Sequence, residues 1–303
     1  MPPIRRVAII LPSGPPVAAN LEAGIAWLQR CGVDVVAPRM RSEGHATCPA
    51  YLADTDDARA EALAEALCRA DVDAVWAGRG GVGAFRTLQA LPGQGAGAIA
   101  ASPQRPLIGL SDITALLLAR LHAGATAVHG PVVTMLAIQD RPSQAAIRAF
   151  LRDPDRGMRL RAGVRAGRRG VAADGTLVAG NLALLAGCCG LPEQPRLDGA
   201  LLLVEDVGEP DWRIDRFMAQ LERAGALRGL RGLGVGDFGP NPLGAAAEHT
   251  LLAWADKLGI PALCGLPLGH RRRNVPLPLG RPARLLPNTG VLEVAAAASG
   301  GAT

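Results

Sequence analysis

Three residues in this sequence could together perform acyl transfer, provided the fold brings them to one place. The first is Ser111, in Leu107-Ile-Gly-Leu-Ser111-Asp112-Ile-Thr114. An apolar run ends at this serine and a helical run begins at once, which is the layout of a nucleophile elbow. There the side chain is lifted above the sheet edge, and the N–H of the next residue, Asp112, points at a developing oxyanion. The helix N-terminus adds partial positive charge. The sequence is not G-x-S-x-G, because Ile113 stands at the last glycine position. Taken alone, Ser111 or Asp112 could equally be an N-cap.

A serine nucleophile needs a base, and the base needs a carboxylate to orient it. The chain has five histidines. His122 ends a helical run, His249 lies within or near the start of another, and His45 sits in a polar loop. His129 and His270 are each flanked by glycine, as expected of loop residues exposed to a site. The run Leu201-Leu-Leu-Val-Glu205-Asp206 is a strand ending in two carboxylates, at the kind of edge where α/β domains open their sites. A solvated strand end would look the same.

The loop Gly78-Arg79-Gly80-Gly81-Val82-Gly83 formally matches G-x-G-x-x-G. A dinucleotide site would need it in the first strand–helix turn, with an acidic residue about 20 positions on. This is the third such turn, and Ala84 to Leu110 contains no Asp or Glu. Glycines here still let backbone N–H groups approach a ligand or an oxyanion closely, or simply make a packing turn.

The elements that must position these groups alternate. Strands are expected over Val7–Leu11, Asp34–Ala37, Ala74–Ala77 and Leu107–Leu110, with a fifth starting at Ala127. Helices are expected over Leu21–Cys31, Asp56–Ala70, Ala84–Leu91 and Ile113–Ala123. This alternation predicts a doubly wound α/β domain with a parallel sheet. The stretch 139–170 is polar and Arg-rich, and reads as a helix followed by a linker between residues 1–138 and a second domain, 171–303. In that second part strands are expected at Leu201–Glu205, Gly232–Phe238 and Val291–Ala295, and helices at Ile214–Ala224 and His249–Leu258. The tail from Ser299 reads as frayed.

Composition narrows the function classes. With 303 residues, 49% hydrophobic and 19% charged, the chain can build one large or two ordinary cores, and it does not read as disordered. Aromatics are 3%, so the core must be aliphatic. The net charge of +5 comes from scattered arginines, clustered only at Arg271–Arg273, without the basic stripe and stacking aromatics of a nucleic-acid binder. Six cysteines show neither zinc nor disulfide spacing and read as buried thiols in a reducing compartment. No run of about 18 apolar residues is present, and Val7–Leu11 is too short for a signal core. A cytoplasmic protein without metal, cofactor, nucleic-acid or membrane partner is expected.

In their order along the chain, the motifs resemble those of the LD-carboxypeptidase family of serine peptidases. Leu11-Pro-Ser-Gly14 is similar to the family's A-P-S-G turn, and Arg79-Gly-Gly-Val-Gly83 to its R-G-G-Y-G loop. Gly109-Leu-Ser-Asp112 with Thr114 resembles its G-[YF]-S-D-x-T motif, and His129-Gly-Pro131 its H-G-P turn. Gly180-Asn181-Leu182 is similar to the end of G-G-N-L. Val204-Glu-Asp-Val-Gly-Glu209 with Arg213-Ile-Asp-Arg216, and Gly269-His270 with Leu277-Pro-Leu-Gly280, resemble the later segments. Val82, Leu110 and Ala179 depart from the pattern, where the family has Tyr, an aromatic and Gly.

The resemblance implies Ser111 as nucleophile, His270 as general base and acid, and Glu205 as the carboxylate orienting His270, with Glu209 the competing position. It implies oxyanion donors at the backbone of Asp112 and of Gly81 or Val82. It also implies a smaller, β-rich mixed α/β second domain that carries Glu205 and His270. Arg79, Asn181 and the Arg271–Arg273 run are candidates to hold substrate. The implied reaction releases terminal D-Ala from a cytoplasmic murein tetrapeptide. A microcin C-type immunity peptidase acting on an aminoacyl-nucleotide amide is the alternative, and a non-catalytic binding protein on the same scaffold is the reading from another class. A homodimer is expected.

Overall fold

The computed structural model describes residues 1–41, 48–91, 96–101, 104–167, 171–239 and 247–298. The expected loop at His45 and the tail from Ser299 lie outside the described residues.

The first half is built on five parallel strands: β1 (Arg6–Ile10), β2 (Asp34–Val36), β3 (Ala74–Ala77), β4 (Leu107–Gly109) and β5 (Ala127–His129). A short strand from far along the chain, β12 (Leu277–Pro278), adds antiparallel to β5 and gives the order β12-β5-β4-β3-β1-β2. Apart from the edge strand β2, whose residues are exposed or half-buried, these strands are buried on both faces and read as near-continuous apolar runs. In β1, Val7 and Ile9 face one core with Trp76, Ile108 and the helix α1 (Ala18–Arg30). Ala8 and Ile10 face the other, with Leu63 and Leu67 of α2 (Asp56–Cys68) and Leu116 of α5 (Thr114–His122). That two-sided burial is the doubly wound arrangement expected from the sequence. Helix α2 starts at Thr55, whose side chain accepts from the N–H of Ala58, with Asp56 and Asp57 in its first turn. Helices α3 (Ala84–Ala90) and α4 (Ala96–Ala100) complete the connections before β4.

The stretch 139–170 carries more structure than a helix and a linker. Helix α6 (Arg141–Arg152) is capped by Asp140, has a proline in its first turn and buries Ile147, Phe150 and Leu151 against the first sheet. After it, β6 (Met158–Arg161) and β7 (Val164–Gly167) are the two edge strands of the second sheet.

That second sheet has the order β6-β14-β13-β8-β9-β10-β11-β7. Its centre, β8 (Ala173–Asn181), β9 (Ala200–Glu205), β10 (Gly232–Val235) and β11 (Pro261–Cys264), is parallel. Its flanks, including β13 (Pro282–Leu286) and β14 (Val291–Val294), pair antiparallel. Helices α7 (Leu182–Gly187), α8 (Asp211–Arg223) and α9 (Ala247–Leu258) follow β8, β9 and β10.

One apolar core runs from Leu107, Leu110 and Leu116 into Leu177, Leu185 and Leu201–Val204, so the two halves share a continuous core. The joint is tight. The N–H of Asn181 donates to Thr114 Oγ1 at 3.0 Å, and a Cβ on Gly180 would lie 2.5 Å from the Thr114 methyl. The carboxyl end of β8 therefore rests on the first turn of the helix that follows Ser111.

Candidate active site

Ser111 opens a single 3₁₀ turn, Ser111–Ile113, between β4 and α5. Among the described residues it is the only non-glycine with positive φ, +66°. A non-glycine residue held there costs roughly 1–3 kcal/mol, and such strain concentrates at functional sites. Gly109 makes the turn possible, since a Cβ there would lie 2.5 Å from Ile113 Cγ2. Ile113, at the position where G-x-S-x-G has glycine, thus packs back over the strand end.

The glycine loop lies directly against the serine. A Cβ on Gly80 would stand 2.8 Å from Ser111 Cβ and 3.1 Å from its Oγ. Gly81 and Gly83 have φ of +110° and +132°, and the carbonyl of Gly80 accepts from the N–H of Gly14 at 3.0 Å. The loop can approach this closely because none of these positions carries a side chain.

Glu205 ends β9, in register with Asn181, and is fully buried. Its Oε2 lies 2.7 Å from His270 Nδ1. His270 stands on a loop held from several sides. Gly269, at φ +140°, passes so close to Asp237 that a Cβ would sit 2.9 Å from its backbone oxygen. The Gly269 carbonyl accepts from Asn274 Nδ2 at 2.9 Å, and the N–H of Asn274 donates to Ser143 Oγ at 3.1 Å. The N–H of Asp140 donates to the Arg272 carbonyl at 2.8 Å. Ser143 and Asp140 begin α6, so the interdomain helix helps position the imidazole.

The electrostatics favour a charged partner for the ring. Burial works against protonation of His270, but the charge and hydrogen bond of Glu205, with Asp206 and Asp237 beyond, outweigh it and raise its pKa above 6.5. Burial pushes the Glu205 carboxyl above the usual carboxylate range, while His270 pulls it back. Among the described residues no hydrogen bond joins Ser111 Oγ to His270.

The other sequence candidates fall into place differently. Glu209 pairs with Arg213 at 2.8 Å, so of the two competing carboxylates Glu205 is the one that meets the histidine. Asn181 is buried and fully engaged: Oδ1 accepts from Leu184 N–H at 3.2 Å, capping α7, and Nδ2 donates to Asp206 Oδ1 at 2.9 Å. Asp206 also accepts from Ala183 and Val207 N–H, each at 2.9 Å, so the second carboxylate of the pair braces the strand end. Arg79 is exposed and donates to the Pro15 carbonyl. Val82 is exposed at the loop tip.

His129 corrects the expectation drawn from its glycine neighbour. It is the last residue of β5 and wholly buried, not a loop residue. Burial, with His270 nearby, pushes its pKa down to about 3, so the ring is neutral. Gly130 serves close packing, since a Cβ there would lie 3.1 Å from Pro276 Cα.

A cleft of about 800 Å³ opens beside Asp237 and the Arg271–Arg273 run that follows His270 in sequence, lined also by Glu209, Phe238 and Glu248; neither Ser111 nor His270 is among its lining residues. Arg271 faces Asp237 at 3.5 Å. Among the described residues no group of three or more His, Cys, Asp or Glu side chains gathers as a metal site, and no helix is long and apolar enough to cross a membrane.

Known proteins place this architecture among the carboxypeptidases, which are hydrolases. Residues 7–130 match the LD-carboxypeptidase N-terminal domain and residues 174–285 the LD-carboxypeptidase C-terminal domain, and the chain belongs to the LD-carboxypeptidase family. A Streptomyces coelicolor relative is 36% identical over 299 residues, covering 96% of this chain and 94% of its own. The murein tetrapeptide carboxypeptidase of Pseudomonas aeruginosa is 34% identical over 293 residues, 92% of each chain. The crystal structure of muramoyltetrapeptide carboxypeptidase from Oxalobacter formigenes superposes with a TM-score of 0.81 at 29% identity, covering 95% of this chain and 99% of that one. MccF in complex with glutamyl sulfamoyl guanosine shares the fold, with a TM-score of 0.80 at 19% identity over 97% of each chain.

Proposed function

We propose that this protein is a serine-type LD-carboxypeptidase that releases terminal D-Ala from a murein tetrapeptide, with Ser111, His270 and Glu205 as its triad. The observation that carries the reading is the 2.7 Å bond from the buried Glu205 to His270, supported by the strained elbow of Ser111 and by the joint in which Asn181, in register with Glu205, bonds Thr114 in the first turn of the helix after the serine.

In this scheme Ser111 Oγ attacks the terminal amide carbonyl as His270 Nε2 takes its proton. Glu205 fixes the tautomer by accepting from Nδ1, and it stabilises the imidazolium that forms. The oxyanion is held by the N–H of Asp112 and one from Gly81 or Val82, each worth about 3 kcal/mol in the transition state. His270 then protonates the departing amine, and water, activated by the same ring, releases the acyl-enzyme.

The substrate class is taken from the Pseudomonas relative, and the cleft supports it. Arg272 and Arg273 offer partners for a free carboxylate and Glu248 one for a free ammonium, as a peptide bearing a diamino acid requires, while Arg271, Asp237 and Glu209 are engaged in ion pairs of their own. Among the described residues Phe238 is the one aromatic in that lining, which offers little for stacking a nucleobase. All six cysteines are free thiols, consistent with a cytoplasmic enzyme. The proposal extends to a homodimer.

The test is mass-spectrometric detection of D-Ala from murein tetrapeptide, run against an aminoacyl-nucleotide amide. Turnover of the tetrapeptide supports the reading. Turnover of the nucleotide amide alone would replace it with the immunity-peptidase alternative.

A further inference from the structure

We propose that Arg59 and Asp112 form a buried clamp that holds the glycine loop against Ser111, which makes both of them positioning residues for the reaction assigned above, on which this inference rests. Arg59 lies on α2, outside every motif of the sequence, and Asp112 follows the serine. Both side chains are almost entirely buried, 2% and 4% exposed.

Together they grip the same two pieces of backbone. In the Gly83–Ala84 peptide unit, the carbonyl accepts from Arg59 Nη1 at 2.9 Å and the N–H donates to Asp112 Oδ2 at 2.7 Å. In the Pro12–Ser13 turn, the Pro12 carbonyl accepts from Arg59 Nη1 at 2.6 Å, and Ser13 Oγ donates to Asp112 Oδ2 at 2.7 Å. Arg59 is itself fixed by the Asp54 carbonyl at 3.0 Å and by Asp56 and Thr87. A buried cation and a buried anion thus each find main-chain partners, and those partners belong to the two turns that flank the serine.

The loop needs such an anchor. Gly81 and Gly83 sit at φ values that only glycine adopts readily, so the loop's own backbone has little preference for this shape. The Arg59 guanidinium fills the space beside Gly83, where a Cβ would stand 2.7 Å from Nη1. The proposed oxyanion donors come from two separate loops, Asp112 N–H from the elbow and Gly81 or Val82 N–H from the glycine loop. Asp112 Oδ2 is the direct link between them. Loss of that link lets the donors separate without touching substrate binding.

The experiment uses the full-length enzyme. It measures kcat and KM for D-Ala release from murein tetrapeptide, and the rate at which a fluorophosphonate labels the active-site serine. Asp112→Ala is expected to lower kcat roughly 100-fold with KM within about threefold of wild type, and to slow labelling in parallel. Asp112→Asn can place its amide oxygen where Oδ2 sits and accept both bonds, so it is expected to restore kcat at least about tenfold relative to the alanine variant. If Asp112→Ala does not fold, Ser13→Ala decides, with an expected fall in kcat of about three- to tenfold at unchanged KM. Equal damage in the alanine and asparagine variants, a loss confined to KM, or an unchanged kcat in Ser13→Ala would overturn the clamp. Ser111→Ala separates the two claims: turnover retained there defeats the assigned reaction, whereas an inactive Ser111→Ala beside a fully active Asp112→Ala defeats the clamp alone.

Discussion

Glu205 Oε2 lies 2.7 Å from His270 Nδ1, and the carboxylate is fully buried while the imidazole keeps 19% of its side chain exposed. The pair is therefore anchored from the core side with part of the ring left accessible, as the base of the proposed scheme requires.

The pH dependence follows from this pair. In the proposed scheme His270 is neutral when it accepts the serine proton, and its pKa is raised above 6.5, chiefly by Glu205 acting against burial. Activity should therefore rise with pH through a limb lying above 6.5, not at the ordinary histidine value. In Glu205→Gln the charge is gone, and the limb should move to lower pH. A kcat/KM profile for both enzymes checks this, and an unmoved limb contradicts it.

Glu205→Gln should also lower kcat by roughly 10²–10⁴-fold, whereas Glu209→Gln should stay within about threefold of wild type, because Glu209 pairs with Arg213 and not with His270. Steady-state kinetics of the two variants separate the candidates that the sequence left open.

Gly80→Ala probes the proposed oxyanion loop sterically. The added methyl would stand 2.8 Å from Ser111 Cβ and 3.1 Å from the Leu110 carbonyl oxygen, so the loop or the serine must shift. A fall of about 10²-fold in kcat is expected, with a much smaller change in KM. Unchanged kcat would place the loop outside the chemistry.

How much of this was legible in the sequence depended on how local the signal was. β3 and β4, with Val7–Ile10 of β1 and Ala200–Val204 of β9, are short apolar runs buried on both faces, which need no partner to be read. β11 and β13 begin on proline, and β12 is two residues that exist as a strand only because β5 accepts them. The Ser111 elbow was visible as a strand running into a helix, but its positive φ was not, because only the packed turn imposes it. Glycine misled at His129, where it permits close packing against Pro276, and informed at His270, where Gly269 lets the loop pass Asp237. The clamp by Arg59 was invisible, because a lone arginine on a polar helix looks like any surface arginine until the fold buries it.

Asn181 is expected to matter for stability and not for substrate. Its side chain caps α7 and holds Asp206, and it is 3% exposed. Asn181→Ala should cost roughly 1–3 kcal/mol, read as a lowered Tm, with KM little changed. A KM rise at unchanged Tm would return Asn181 to the substrate-binding residues.

The central claim is that Ser111 carries the acyl group, and comparing D-Ala release by wild type and Ser111→Ala tests it most directly. The account predicts that release by the variant falls by several orders of magnitude, on the order of 10⁶-fold where a triad serine is removed, with the fold intact by circular dichroism. Release by Ser111→Ala within about tenfold of wild type would contradict it, since the residual catalysis of a triad enzyme without its nucleophile lies far below that.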